Sequence, residues 1–329
     1  MSQDGASPKP RSGKTVIVAG GGGFLGSRIC DAFLERGWRV VSVGIGAPIG
    51  LRDGTHHHEG LVTRELLTAA SEAHGSPDLI VHAAGGSSVG QSWESPRSDF
   101  DLSVGSTAEI LDFARHQMPR PRLTLVSSAA VYGDVGSGSL NEDDLCLPMS
   151  PYGAHKRVCE ELVLAESRMS GVGVAVVRFF SLFGNGLRKQ ILWDILRRSG
   201  QPGDGPLELW GDGQETRDFL HVHDAARLIL LASTAIVPGQ SRIYNGASGS
   251  PVSIRDLAGA LLRVAGVSKE LHFNGKHRAG DPRHLTASTT RAQNELGFEP
   301  AVSLDEGLSA YVAWFRSEQS GPAPGEVAR

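Results

Sequence analysis

Cysteine is scarce in this chain: Cys30, Cys146 and Cys159 are its 3 thiols in 329 residues. An odd, widely spaced set makes neither a disulfide framework nor a CxxC metal knuckle, which points to a reducing cytoplasm. Long apolar runs are missing as well; none approaches the ~18 residues that a membrane-spanning helix requires. Charge of one sign is nowhere concentrated. Lys and Arg number 32 against 36 Asp and Glu, for a net charge of −4. That balance offers no footprint for nucleic acid and no polybasic membrane patch. The run His56–His58 has no acidic or cysteine partner at metal-ligand spacing, so it reads as a loop or strand edge and no metal is expected. The opening MSQDGASPKPRSGK has no apolar signal core, and residues 1–13 read as a disordered tail, as do 317–329.

Glycine is abundant, with 42 residues, which suits a fold with many tight strand-to-helix turns. TVIVAG (15–20), WRVVSVG (38–44), DLIVHAAG (78–85), RLTLVSSAAVYG (122–133) and VGVAVVRFF (172–180) are apolar, strand-like runs. Between them lie helical stretches: SRICDAFLERG, TRELLTAASEAHG, STAEILDFARHQ and HKRVCEELVLAESRMSG. Buried strands alternating with helices indicate an α/β fold, a doubly wound parallel sheet of Rossmann type. After Ser181 the rhythm breaks into Gly-, Arg- and aromatic-rich sequence. The expected division is a dinucleotide-binding domain over 14–180, with a return segment at 216–247. A smaller C-terminal substrate-binding lobe would take 181–215 and 248–316.

AGGGGFLGSR (19–28) joins the first strand to the first helix. It satisfies GxxGxxG through Gly20, Gly23 and Gly26, and GxGxxG through Gly21, Gly23 and Gly26. In either register the glycines permit a tight turn and close backbone approach, and the helix N-terminus meets a pyrophosphate with its N–H groups. A carboxylate about 20 residues on would bind the adenosine ribose. Gly44 stands there, followed by Ile45 and Gly46; Asp53 falls later, in the next loop. A small residue leaves room for a 2′-phosphate, with Arg28 or Arg52 as its partner. NAD and NADP both stay open.

VSSAAVYG (126–133) follows an apolar strand, and its serines sit where a doubly wound sheet faces its ligand crevice. Tyr152 and Lys156 follow at the start of a helix, and their i, i+4 spacing places them on one face. A phenol with a pKa of about 10 is a poor base at neutral pH; bringing one to about 7 takes about 4 kcal/mol. A lysine ammonium one turn away supplies that kind of electrostatic preference.

Taken together, the glycine loop, the serine and the YxxxK pair resemble the short-chain dehydrogenase/reductase family. The likeness is to its extended branch, the NAD-dependent epimerase/dehydratase enzymes of nucleotide sugars. HAAGGSSVGQSWESP (82–96), RFFSLFGNGLR (178–188), LWGDGQETRDFLHVHDAAR (209–227) and RAGDPRHLTAST (278–289) look like further blocks of that family. The resemblance implies Ser128, rather than Ser127, as the catalytic serine, with Tyr152 and Lys156. It implies cofactor contacts from Gly20, Gly23, Phe24, Leu25, Gly26, Ala83, Ala84 and Gly85, besides Tyr152 and Lys156. Substrate contacts are implied for Ser87, Ser128, Ser181, Gln190, Arg217 and Arg278, the two arginines on the diphosphate. Trp193 and Trp210 read equally as pocket or core, and His221 and His223 as structural.

Two departures stand out. Ser103, in SVGST, replaces the asparagine of the family's NVxGT segment, and Ser181 replaces another after the RxF strand; serine changes reach and number of contacts. Dehydratases of this fold usually carry an acid directly after the catalytic serine or threonine; here Ala129 and Ala130 follow. The implied activity is therefore a nucleotide-sugar 4-epimerase, acting through a transient 4-keto sugar, cytoplasmic and homodimeric. An NADPH-dependent reductase of a 4-keto-6-deoxy nucleotide sugar is the alternative, ahead of a dehydratase or a cofactor-sensing protein without catalysis.

Overall fold

The structure, a computed structural model, describes residues 13–320 apart from 47, 49, 87, 135, 137, 202–204, 277–279 and 281. The strands begin with β1 (Thr15–Ala19), β2 (Arg39–Gly44), β3 (Thr55–Glu59), β4 (Leu79–His82), β5 (Arg122–Ser128) and β6 (Ser139–Leu140). Next come β7 (Val174–Phe179), β8 (Ser181–Phe183), β9 (Leu207–Leu209) and β10 (Thr216–His221). Last are β11 (Ser241–Gly246), β12 (Pro251–Ser253), β13 (Leu271–Phe273) and β14 (His284–Ala287). The helices are α1 (Phe24–Glu35), α2 (Arg64–His74), α3 (Val89–Glu94), α4 (Pro96–Phe100), α5 (Ser106–Arg115) and α6 (Pro151–Ser170). They continue as α7 (Gln190–Ser199), α8 (Val222–Ala235), α9 (Ile254–Val264), α10 (Thr290–Leu296) and α11 (Leu304–Ser320).

Two compact units divide the chain. The first, Met1–Ser127, Ser150–Val177 and Ala226–Tyr244, is organised by a sheet of order β11-β7-β5-β4-β1-β2-β3. β1 pairs in parallel with β2 and β4, β2 with β3, and β4 with β5. β1 and β4 are buried along their whole length, as strands covered on both faces must be, and valine and isoleucine supply the packing. Ile17, Val41, Ile80 and Leu123 of the sheet share one core with Leu67 of α2, Phe113 of α5 and Val163 of α6. Strand order reverses between β1 and β4, the place where doubly wound sheets open a crevice at their carboxyl ends. His56–His58 lie on β3, the edge strand.

The second unit takes Ser128–Met149, Arg178–Ala225 and Asn245–Arg329. Residues 128–149, 178–180, 216–225 and 245–247, expected with the dinucleotide-binding sheet, belong here instead. The reason is pairing: β6 adds to β14, and β10 pairs with β8, β12 and β14. Its buried polar centre joins Tyr132 to Asn245 at 2.7 Å, and the Asn245 amide N–H to Glu142 at 2.9 Å. α11 runs on to Ser320, inside the segment expected as a tail from 317. Trp314 and Phe315 pack on Trp193, and Glu318 pairs with Arg188, which holds a polar helix end that periodicity alone would release.

Candidate active site

The glycine loop is built as a cradle. Gly20 donates to Val43 O at 2.7 Å, and Gly23 to Gly20 O at 3.0 Å. A Cβ on Gly20 (φ 84°) would lie 2.6 Å from the Ala84 nitrogen, and one on Gly26 would lie 2.0 Å from Gly20 O. Neither position admits a side chain, so backbone of β1, of α1 and of the loop after β4 closes to contact. Gly23 caps α1 with no side-chain hydrogen bond, and no acid occupies the first turn. The N–H groups at Phe24, Leu25 and Gly26 are thus open to an anionic ligand. These residues fit a dinucleotide pyrophosphate. Arg28 and Arg52, the expected cations for a 2′-phosphate, are engaged elsewhere: Arg28 with Asp31 at 3.3 Å and Arg52 with Glu35 at 2.9 Å.

α6 begins one turn earlier than its apolar periodicity indicates, because Ser150 caps it and Pro151 takes its first position. Ser150 Oγ accepts from the Gly153 amide at 3.1 Å, and Ser92 Oγ from the Tyr152 amide at 3.0 Å. His155 Nδ1 meets Asp99 Oδ2 at 2.5 Å, with both side chains largely buried. The helix's own cap and two other segments, α3 and α4, therefore hold this first turn. Lys156 is buried, donates to Val126 O at 3.2 Å, and carries Nζ 5.9 Å from the centre of the Tyr152 ring.

Behind Lys156, Ser103 lies in a π-turn over Asp101–Gly105 and accepts from the Gly86 amide at 3.0 Å. Its hydroxyl thus steadies the loop after β4. Beneath it His82 bonds Thr107 through Nε2 at 2.9 Å, and burial, then the Lys156 charge, push its pKa down to about 3. It stays a neutral imidazole throughout the physiological range.

The strand end separates the two serines. Ser127 Oγ donates to the fully buried Glu160 at 2.6 Å, while Arg157 pairs with the same carboxylate at 3.1 Å. That hydroxyl is committed to packing. Ser128 is half-buried and accepts from the Ala130 amide at 3.2 Å, leaving its proton to donate. Ala129 and Ala130 bring no carboxylate next to it.

In the second unit, Arg217 is buried on β10, with Nη1 on the carbonyls of Thr216 (2.8 Å) and Arg283 (3.1 Å). Ser181 opens β8 and lies opposite Phe219 of β10. Gln190 begins α7 at φ 67°, the one left-handed backbone outside glycine among the described residues, and such strain concentrates at functional positions. Trp193 packs against Trp314 and Phe315, so it serves the core. Trp210 is half exposed. Ser87 and Arg278 lie outside the described residues.

A family model described as NAD dependent epimerase/dehydratase family matches residues 16–247. The chain belongs to this family. Among curated family members, a dTDP-glucose 4,6-dehydratase of Streptomyces griseus is 32% identical over 93% of this chain and 95% of its own. A UDP-glucose 4-epimerase of Streptomyces lividans is 28% identical over 94% of this chain and 98% of its own. Among solved structures, MoeE5 in complex with UDP-glucuronic acid and NAD superposes with a TM-score of 0.82 at 28% identity. The match covers 92% of this chain and 99% of that one. Family membership makes the chain an enzyme of the epimerase/dehydratase class and accounts for the YxxxK pair. It does not foretell the Asp99–His155 tether or the Ser92 contact, whose partners lie 56 and 60 residues apart in sequence.

Proposed function

We propose that this protein is an NAD-dependent nucleotide-sugar epimerase that inverts C4 of an NDP-hexose. The carrying observation is a pair of contrasts around one strand end: Tyr152 and Lys156 are intact, and no acid follows Ser128. Bound NAD would supply the reversible hydride acceptor. Tyr152 takes the 4-hydroxyl proton and returns it, and Lys156 stabilises the phenolate in between. Ser128 hydrogen-bonds the reacting oxygen. Arg217 and Arg278 bind the diphosphate, where a guanidinium fork suits paired oxygens, with Ser87, Ser181 and Gln190 as further substrate contacts.

Dehydration needs an acid–base group to move a proton and expel water, and Ala129–Ala130 supply none. The reductase alternative draws its support from a 2′-phosphate site, and the ion pairs of Arg28 and Arg52 weaken it. Three free thiols and the lack, among the described residues, of any helix fit to cross a membrane accord with a cytoplasmic enzyme. Trp93, Phe100 and Val158, exposed on α3, α4 and α6, accord with a homodimer paired through these helices.

The test is incubation with UDP-glucose, UDP-glucuronate and dTDP-glucose, followed by mass spectrometry and absorbance at the reduced-nicotinamide band. Epimerisation leaves mass and absorbance unchanged while a C4 epimer accumulates. Loss of a water mass would contradict it, as would steady consumption of reduced cofactor.

A further inference from the structure

The adenosine end of the proposed NAD site lacks its usual carboxylate, because β2 ends in Gly44. Sheet register supplies what sequence spacing could not. In the parallel pair of β2 and β3, Ser42 lies opposite His57 and Gly44 opposite Glu59. Opposed residues of such a pair send side chains to one face, and alternate residues along a strand share it. Ser42, Gly44, His57 and Glu59 therefore make a single patch at the carboxyl ends of two neighbouring strands. His56 and His58 point the other way: His58 Nε2 meets His74 Nε2 of α2 at 3.0 Å, and the His56 ring stacks on His74.

The patch lies under the glycine loop. A Cβ on Gly21 would meet Ser42 Oγ at 2.4 Å, and one on Gly22 would lie 3.7 Å from His57 Cε1. The inner row is closed by the Ser42–His57 hydrogen bond of 2.9 Å. The outer row is bare Gly44 beside exposed Glu59, and the ladder holds the two together there, since the Gly60 amide donates to Gly44 O at 2.9 Å. Neighbouring strands are about 4.8 Å apart, a gap that the two-methylene arm of glutamate spans and the shorter arm of aspartate does not.

We propose that Glu59 supplies, from the neighbouring strand, the ribose-binding carboxylate absent at Gly44, and that it sets the preference for NAD over NADP. The inference rests on the NAD reading above. Glu59 accepts hydrogen bonds from the adenosine ribose hydroxyls and repels a 2′-phosphate placed at the same point. Among the described residues, the two arginines expected for that phosphate, Arg28 and Arg52, pair with Asp31 and Glu35 instead.

The test is competition. Full-length protein is exchanged against equal NAD and NADP, washed, and its retained nucleotide quantified by mass spectrometry; thermal unfolding checks that each variant folds. The wild-type chain should retain NAD at least about tenfold over NADP, and Glu59→Gln should reduce that ratio about tenfold. A second change gives the rescue. A Cβ at Gly44 would lie 3.6 Å from its nearest neighbour, an ordinary contact, so Gly44→Asp on the Glu59→Gln background should restore NAD preference. An unchanged ratio in Glu59→Gln, or no recovery with Gly44→Asp, overturns the role of Glu59 and leaves the NAD reading standing. Retention of neither nucleotide by the wild-type chain overturns the NAD reading itself.

Discussion

Around Tyr152 the chain spends three separate tethers on one helical turn: Ser150 on the Gly153 amide, Ser92 on the Tyr152 amide, and Asp99 on His155. On the face of β2 and β3 that carries Gly44, the Ser42–His57 bond stands beside a bare Gly44 and an exposed Glu59. The proposed proton transfer at Tyr152 accounts for the difference. It needs donor and acceptor within hydrogen-bond reach, so the group that moves the proton must be held by its surroundings. Ribose recognition needs a negative charge near two hydroxyls, and a charge can be delivered from either of two adjacent strands. The first kind of site preserves its motif and its scaffold; the second tolerates a change of supplier.

The largest effect is expected at the tyrosine. Tyr152→Phe keeps the ring and removes the proton carrier, and should lower kcat by about 10²–10⁴-fold with nucleotide retention unchanged; steady-state kinetics and bound-nucleotide analysis read both. A variant with wild-type turnover would remove Tyr152 from the mechanism. Gly26→Ala attacks the cradle directly, since its Cβ would overlap Gly20 O at 2.0 Å. Nucleotide retention should fall below detection in a chain that still shows helical circular dichroism.

The tethers come next. His155→Ala leaves the buried Asp99 carboxylate without its partner and should cost about 1–3 kcal/mol of stability, together with a lower kcat. His155→Asn, which can still donate to Asp99, should recover most of both. Equal kcat in the alanine variant and wild type would show that the pair braces α4 alone.

The smallest effect is a pH dependence of stability. His82 has its folded pKa pushed down to about 3 by burial and by Lys156, while an unfolded histidine titrates near 6.5. Above pH ~6.5 neither state is protonated there and the group is neutral in the balance. As pH falls from ~6.5 toward 3 only the unfolded state gains the proton, so stability drops, by about 2 kcal/mol between pH 6.5 and 5. Chemical denaturation at the two pH values measures it. His82→Gln should flatten that part of the profile, and an identical slope in both proteins would assign the acid sensitivity elsewhere.

The sheet was legible because its strands are apolar, β-branched and punctuated by glycine, and because TVIVAG, the glycine loop and the following helix stand in one order. The Tyr152–Lys156 pair was legible as a local spacing, whereas the choice of Ser128 over Ser127 rested on the family resemblance. Register was not legible. Glu59 and Gly44 become neighbours only when β3 adds to the edge of the sheet, and the three-histidine run reads as a loop or strand edge without naming the strand it would join. The Asp99–His155 pair was hidden for the same reason, since it joins a short helix to the one that carries Tyr152 across 56 residues. Unit boundaries were missed at 128–149 because β6 leaves the large sheet to pair with β14, more than a hundred residues away.

C4 inversion without loss of water is read by proton NMR of the nucleotide-sugar product formed in deuterium oxide. Hydride that leaves and returns within one site keeps deuterium out of C4, and C5 is never opened. The expected product is a C4 epimer with protium at both carbons. A 6-deoxy-4-keto product carrying deuterium would contradict it, because water loss across C5 and C6 exchanges hydrogen with the solvent.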